Sequence, residues 1–310
     1  MRITISGSSG LIGTALVEHL RAGGHTVTQL VRRPVGGSAG GSPVGAAGGA
    51  VHEVQWDPSA GTLPASAIDG ADAVINLAGA GIGDHRWTDE YKRELLDSRL
   101  RTTQLLASTI AAVDAKPSVL LSGSAIGWYG PRHDEVLDET ASPGTTFLAD
   151  ICVQWENATA AAEAAGVRTA HLRTGIVLSA KGGALKKQLP LFKLGLGGKF
   201  APGTQWQSWI SIDDEVGAIE HLLTAPVSGA VNLTAPAPVT NAEFTKTLAS
   251  VLKRPAVLPI PSFGPKLLLG GELADALLFS GQRVVPTVLQ SSGYTFQHPT
   301  LEVALRAMLA

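Results

Sequence analysis

The chain has 310 residues, of which 45% are hydrophobic and 16% charged, with a formal net charge of −2. Such a composition fits a soluble globular protein of one large domain, or one domain with a smaller partner, and excludes a disordered chain. The mixed charge, with no long Lys/Arg run, excludes a sequence-wide nucleic-acid-binding role.

The N-terminus does not read as a signal peptide: apolar residues at 3 and 5 alternate with polar ones, and a glycine turn follows. R-I-T-I-S (2–6) reads as a strand. Leu11, Ile12, Ala15, Leu16 and Leu20 have helical spacing over 11–21, and Gly23-Gly24 ends that helix. T-V-T-Q-L-V (26–31) is a second strand. The Gly/Ala/Ser tract at 35–50 has no core-forming pattern and reads as a flexible surface loop or, less simply, a linker. Further strands are expected at 51–55, 72–77, 117–122 and 167–173, and helices at 89–113 and 148–165. This alternation predicts an α/β fold: a Rossmann-type, doubly wound parallel sheet. Beyond residue 180 the rhythm loosens, and glycines and prolines crowd 182–203 and 226–240. The expected organisation is a nucleotide-binding domain over 1–235 and a smaller C-terminal α+β region over 236–310 that caps a cleft. The most apolar late stretch, 267–278, is broken by Gly270, Gly271, Glu272 and Asp275 and reads as a buried or docking helix. No apolar run reaches the ~18 residues of a membrane-spanning helix.

Gly7, Gly10 and Gly13 lie between the first strand and first helix, in G-S-S-G-L-I-G (7–13). Gly7 permits a tight turn, Gly10 lets backbone approach a pyrophosphate, and Gly13 lets helix and strand pack closely. The helix start adds free N–H groups and partial positive charge. After the second strand an acid would accept from the ribose hydroxyl of NAD(H). Arg32 and Arg33 stand there instead and suit the 2′-phosphate of NADP(H), which is the expected cofactor. Trp56 and Asp57 follow the third strand, where an adenine would lie. N-L-A-G (76–79) ends the fourth, where Asn76 can cap the turn.

With L-S-G-S-A (121–125), L-R-T-G-I-V-L (172–178) and W-I-S-I-D-D (209–214), these motifs make the chain resemble the extended short-chain dehydrogenase/reductase superfamily over about 1–235. N-L-A-G-A-G-I-G-D-H-R-W-T (76–88), L-A-x-x-C-x-x-W-E (148–156) and L-L-F-S-G-Q-R-V-V-P (277–286) narrow the resemblance to its atypical "epimerase family" of NAD(P)-binding oxidoreductases. That branch carries a C-terminal domain of unknown function, expected at about 250–297. The resemblance implies that Gly7, Ser8, Ser9, Gly10, Leu11, Ile12 and Gly13 hold the pyrophosphate and that Val31 and Arg32 flank the adenosine ribose. It also implies that Leu77, Ala78 and Gly79 line the cofactor, that Glu94 and Arg99 contact it, and that Gly175 and Ile176 meet the nicotinamide amide. Glu94 and Arg99 are five apart and do not share a helix face cleanly; Glu94 is either a cofactor contact or a solvated charge.

Superfamily catalysis uses a Ser, a Tyr and a Lys four residues past the Tyr. The lysine lowers the tyrosine pKa so that the phenol exchanges a proton with the substrate oxygen. Ser124 matches the serine. With Glu156 as reference, Leu148 falls at the Tyr and Cys152 at the Lys. The tyrosines are 91, 129 and 294, and the residues four beyond are Leu95, His133 and His298, so no Tyr-x-x-x-Lys exists. Tyr129, in G-W-Y-G-P just past Ser124, either substitutes at the cleft mouth or packs in a glycine-bounded loop. His85, Arg86, Lys181 and Lys186 are further candidates. Cys152, the single cysteine, excludes an intrachain disulfide and a multi-thiolate zinc site; no metal is expected.

Three readings remain: an NADP(H)-dependent oxidoreductase on an unknown small molecule, a non-catalytic NADP(H)-binding regulatory or partner-binding module, and a nucleotide-sugar epimerase or dehydratase. A cytoplasmic monomer or homodimer, with no nucleic-acid or membrane partner, is the accompanying expectation.

Overall fold

The computed structural model describes residues 1–35 and 49–309; most of the tract at 35–50 lies outside the described residues. Seven parallel strands form the central sheet: β1 (Arg2–Ser6), β2 (Thr26–Val31), β3 (Val51–Gln55), β4 (Ala73–Asn76), β5 (Val119–Ala125), β7 (Arg168–Thr174) and β11 (Gly229–Leu233). Their order is β11-β7-β5-β4-β1-β2-β3. β1 therefore lies between β2 and β4, with Ser6 beside Leu30 on one side and Asn76 on the other. The chain changes direction of travel across the sheet at this point, which opens a crevice at the strands' carboxyl ends.

Strand alternation sorts side chains to two faces. Ile3, Ile5, Ile75, Leu121 and Leu172 share one buried cluster with Leu16 and Leu20 of α1 (Leu11–Ala22) and Ile219 and Leu222 of α6 (Ile212–Thr224). Val74 and Leu120, one residue out of phase, instead meet Leu106 and Ile110 of α2 (Asp89–Ala112). The Thr88 hydroxyl caps α2 by accepting from the Tyr91 N–H at 3.1 Å.

The helix expected over 148–165 is two: α3 (Phe147–Asn157) and α4 (Ala160–Ala164). The break falls at Thr159, whose hydroxyl sits 2.7 Å from the Glu156 carbonyl. Such a side chain competes for helical acceptors. β11 arises within 226–240, where glycines and prolines crowd the sequence and no strand was expected. It is short, and its buried Asn232 disguises it.

The remaining elements are small. They are β6 (Val136–Leu137), β8 (Ile176–Leu178), β9 (Trp206–Gln207), β10 (Trp209–Ser211), β12 (Val239–Thr240), β13 (Arg283–Val284), α5 (Gly183–Lys193), α7 (Asn241–Leu252), α8 (Phe263–Leu269), α9 (Gly271–Ala274), α10 (Thr287–Ser291) and α11 (Leu301–Leu309). A separate core joins Leu185, Phe192, Trp209, Phe244, Leu248 and Leu305 from α5, β10, α7 and α11. The stretch 267–278 is not one docking helix. It is split among α8, α9 and a π-helical turn (Asp275–Phe279) at Gly270, whose φ of +92° turns the chain. Leu267 and Leu268 point to solvent, while Leu273 and Ala274 are buried. Among the described residues no helix is long and apolar enough to cross a membrane.

Candidate functional site

The β1–α1 turn is shaped by what its glycines leave out. Gly7 has φ +73°, and a Cβ there would lie 2.5 Å from the Leu77 carbonyl group. A Cβ on Gly13 would overlap the Gly7 carbonyl oxygen. Gly10 has more room, 3.4 Å to its nearest neighbour, and its N–H donates to the Gly7 carbonyl at 3.1 Å. No side chain caps α1, and its first turn has no acid. The N–H groups of Leu11, Ile12 and Gly13 thus have no intrahelical acceptor and, beside Ser8 and Ser9, form a cradle that fits a pyrophosphate.

At the end of β2, past Val31, the two arginines differ. The Arg33 Nη2 is 2.5 Å from Glu53 Oε1, whereas Arg32 pairs with no described residue. Trp56 is buried with Leu30 and Ile68 and so belongs largely to the core. Asp57 Oδ1 accepts from the N–H groups of Ser59 (2.9 Å) and Ala60 (3.1 Å), closing the turn past β3. Both residues border an open depression there. Asn76 caps its turn as expected. Its Oδ1 accepts from the Ser6 hydroxyl at 2.6 Å and the Ala78 N–H at 3.3 Å, and its Nδ2 donates to Thr103 at 2.8 Å.

Past the ends of β5 and β7 lies a cavity of about 220 Å³, lined in part by Arg99, Leu148, Cys152, Thr174, Gly175 and Leu277. Ile176 lines it too. Arg99 is 7% exposed. Its Nη1 donates to the Leu95 carbonyl at 2.7 Å, its guanidinium lies 4.9 Å from the Trp155 ring, and Gly79 lies against its side chain. No described carboxylate pairs with it, and burial lowers its pKa. Glu94 does not join it. Glu94 points outward from α2 to Arg101, 3.0 Å away, because five residues carry the helix past a common face.

Ser124 and Tyr129 meet in one buried network behind the cavity wall. The Ser124 hydroxyl donates to Glu156 Oε1 at 2.6 Å. Arg173 Nη1 donates to the Tyr129 oxygen at 3.1 Å, and the Tyr129 hydroxyl donates to Asn232 Oδ1 at 2.7 Å. Tyr129 has no solvent exposure and packs inside this network rather than at a cleft mouth, the second of its two readings. Asn232 on β11 and Arg173, also stacked on Trp128, draw the phenol inward, and burial raises its pKa. Neither Ser124 nor Tyr129 lines the cavity.

The other substitutes also lie elsewhere. Arg86 donates to the Leu267 and Leu268 carbonyls at 2.6 and 3.1 Å, and His85 packs edge-on against Tyr91. Lys181 and Lys186 are exposed. Leu148 and Cys152 do face the cavity. Burial pushes the Cys152 thiol up to about 11, so it is neutral at physiological pH.

The cavity's cover comes from the C-terminal region expected to cap a cleft, although the sequence did not single out its residues. Ala276, Leu277, Leu278 and Gln282 close over it. The Gln205 side chain donates to the Leu278 carbonyl at 2.6 Å, and the Ser208 hydroxyl to the Gln282 carbonyl at 2.7 Å. The signal available was the motif at 277–286. Glu215, buried in the first turn of α6, was also missed; an acid beside the two aspartates of W-I-S-I-D-D reads as a charged helix start.

Residues 3–234 match the family model of the NAD dependent epimerase/dehydratase family, and residues 260–308 match a domain of unknown function, DUF1731. The second match starts and ends about ten residues later than the resemblance implied. "Epimerase family protein Mb2239" of Mycobacterium bovis is 43% identical over 304 residues, covering 98% of this chain and 96% of the relative. "Epimerase family protein SDR39U1" of Homo sapiens is 36% identical over 316 residues, covering both chains completely. The crystal structure of human SDR39U1 (isoform 2) with NADPH superposes with a TM-score of 0.86 at 34% identity over 99% of each chain.

Proposed function

The chain belongs to the NAD dependent epimerase/dehydratase family, and from that premise we propose that it is an NADP(H)-binding oxidoreductase acting on a small molecule without a Tyr-x-x-x-Lys pair. The observation that carries this reading is Arg99: a buried cation without a carboxylate partner among the described residues, set in a cavity at the carboxyl edge of the sheet.

The chain's residues fit the cofactor. The α1 N-terminus and glycine turn would hold the pyrophosphate. Arg32, paired with no described residue where Arg33 is tied to Glu53, would meet the 2′-phosphate. The human relative's structure with NADPH supports this choice over NAD(H). Gly175 and Ile176 would flank the nicotinamide, which when bound supplies or accepts a hydride. Arg99 then takes over, from α2, the permanent positive charge that Cys152 cannot provide from α3. A guanidinium stays protonated even when buried, and it can stabilise negative charge developing on a substrate oxygen. Leu148, Trp155 and Leu277 give the space around it apolar walls. Ser124, committed to Glu156, orients the wall. A space of about 220 Å³ suits a small carbonyl compound better than a nucleotide sugar. Residues 1–235 would form the cofactor-binding unit and 236–310 the cap, in a cytoplasmic protein.

The test pairs equilibrium titration of NADPH and NADH with NADPH oxidation across a panel of small aldehydes and ketones. Preferential NADPH binding with turnover of at least one carbonyl supports the reading. Binding without turnover favours a non-catalytic NADP(H)-responsive module, a reading that the buried phenol of Tyr129 and the neutral thiol of Cys152 already support. A cofactor retained through purification, with nucleotide-sugar conversion, favours an epimerase or dehydratase.

A further inference from the structure

Behind Thr174 the cavity wall holds a second ionisable group that the proposed function leaves unused. Glu215 has no solvent exposure. The Thr174 hydroxyl donates to its Oε1 at 3.0 Å. Its Oε2 has no hydrogen-bond partner among the described residues, and neither has the buried hydroxyl of Thr234. Gly175 ties the group to the cavity. It lines the space beside Thr174, and a Cβ on it would lie 2.9 Å from Thr234 Cγ2 and 2.5 Å from the Ser208 carbonyl oxygen. Thr174, one of the lining residues, thus directs its hydroxyl at a buried carboxyl, with the Leu172 carbonyl a longer second acceptor at 3.4 Å, and two polar atoms beside it have no partner among the described residues, where such atoms are costly.

We propose that Thr174 and Glu215 form a proton-linked ligand site, in which a carboxamide or carbonyl oxygen entering beside Gly175 takes the Thr174 hydrogen bond while Glu215 changes from acceptor to donor behind it. The hydroxyl has one proton. While it points at Glu215 it can offer nothing to the cavity. When it turns to a ligand oxygen, its own oxygen becomes an acceptor, and the protonated carboxyl of Glu215 fills it. No covalent bond to the ligand forms or breaks. If Glu215 is ionised beforehand, it takes one proton from solvent. The ligand is therefore bound together with a protonated Glu215.

Burial pushes the Glu215 pKa up to about 8, opposed by the Thr174 hydrogen bond. The exchange thus falls in an accessible pH range. The ionisable groups at this end of α6 are Asp213 and Asp214 on the helix itself, with Tyr294 and His298 from the segment packed against it. On the cavity side they are Arg99 and Cys152. Tyr294 is raised strongly by burial and by Asp214, and Cys152 titrates near 11, so neither mimics a transition near 8.

The inference rests on the cofactor reading, and NADPH is the probe. Binding to the full-length protein is measured calorimetrically in two buffers of different ionisation enthalpy at each pH, MES and bis-Tris at pH 6, Bicine and Tris at pH 9. The expected result is uptake approaching one proton at pH 9 and, at pH 6, only the exchange of the cofactor's own 2′-phosphate, identical in Glu215→Gln. NADPH affinity should fall towards about tenfold per pH unit above 8. Glu215→Gln, a neutral mimic of the protonated acid, should bind at pH 9 without uptake and with a flat pH profile. Thr174→Val should lose the uptake while remaining folded by circular dichroism. NADPH binding with no uptake at pH 9, or with uptake there that persists in Glu215→Gln, overturns this inference and leaves the cofactor reading intact. Absence of NADPH binding overturns both. An infrared titration of the free protein gives an independent check: a protonated-carboxyl band that is present at pH 6, lost by pH 9 and missing in Glu215→Gln is expected. Its absence in the unmodified protein defeats the inference whatever NADPH does.

Discussion

Arg173 grips Glu156 at both oxygens, Nε on Oε1 at 2.8 Å and Nη2 on Oε2 at 3.0 Å, with the two side chains only 4% and 7% exposed. Removing one partner leaves the other as an uncompensated buried charge. Glu156→Gln is therefore expected to destabilise the protein by about 3–5 kcal/mol. Ser124→Ala, which removes one hydrogen bond to the same carboxylate, should cost about 1–2 kcal/mol. Urea denaturation at neutral pH measures both, and equal losses would contradict this ranking.

Gly13→Ala places a methyl group against the Gly7 carbonyl oxygen, where only backbone can yield. Gly10→Ala meets nothing closer than 3.4 Å in the protein itself. The first should lower the melting temperature as well as NADPH affinity. The second should leave melting nearly unchanged and weaken NADPH alone, by roughly tenfold or more, because it fills the space through which backbone meets pyrophosphate. Thermal scans beside fluorescence titrations separate the two.

Arg32→Ala should weaken NADPH by about ten- to a hundredfold, the worth of a charge-assisted contact to phosphate, and leave NADH unchanged. Arg33→Ala should have a smaller effect, since its guanidinium is already engaged by Glu53. The ratio of the two dissociation constants in each variant is the readout.

Arg99→Leu should lower kcat/KM of any NADPH-dependent turnover by on the order of a hundredfold or more, as expected when a preorganised charge is removed from a dry site. Arg99→Lys should restore only part, since an ammonium lacks the planar fork. Cys152→Ser should change the rate little, because the thiol is neutral. Steady-state rates on one carbonyl substrate test the series, and a Cys152→Ser loss as large as that of Arg99→Leu would contradict it.

The contribution of Glu215 to stability should fall as pH rises from about 5 towards 8, against an opposite contribution below 6.5 from His171, whose pKa burial lowers. The folded pKa of Glu215 lies near 8, above the 4.5 of an ordinary glutamate. Between those values the folded state holds a proton that the unfolded state has released, so raising the pH favours unfolding, by up to about 1 kcal/mol per pH unit from this group. Glu215→Gln should flatten that part of the profile. Chemical denaturation at pH 5, 6.5 and 8 checks the sign.

The fold was legible because strand alternation at 2–6 and 26–31 and helical spacing at 11–21 answer to local periodicity, and the glycine turn sits where they meet. Arg99 was legible through resemblance. The position of Tyr129 was not: it depends on Asn232 and Arg173, residues far along the chain that reach the phenol only once β11 and β7 are side by side. Trp56 illustrates the same gap, since nothing at the end of β3 tells an aromatic facing an adenine from one facing Leu30 and Ile68. Glu215 was hidden by its setting. A third acid in a helix's first turn suits the macrodipole, and only the packing of α6 beneath Thr174 makes it buried.

The cavity's cover comes from residues 276–282, whereas its floor and its cation come from α2, α3 and β7. On the proposed function, part of the wall that meets the guest thus comes from a later stretch than the turns that would hold the nucleotide. A chimera carrying a relative's counterpart of 260–308 should inherit that relative's guest preference and keep this protein's affinity for its nucleotide.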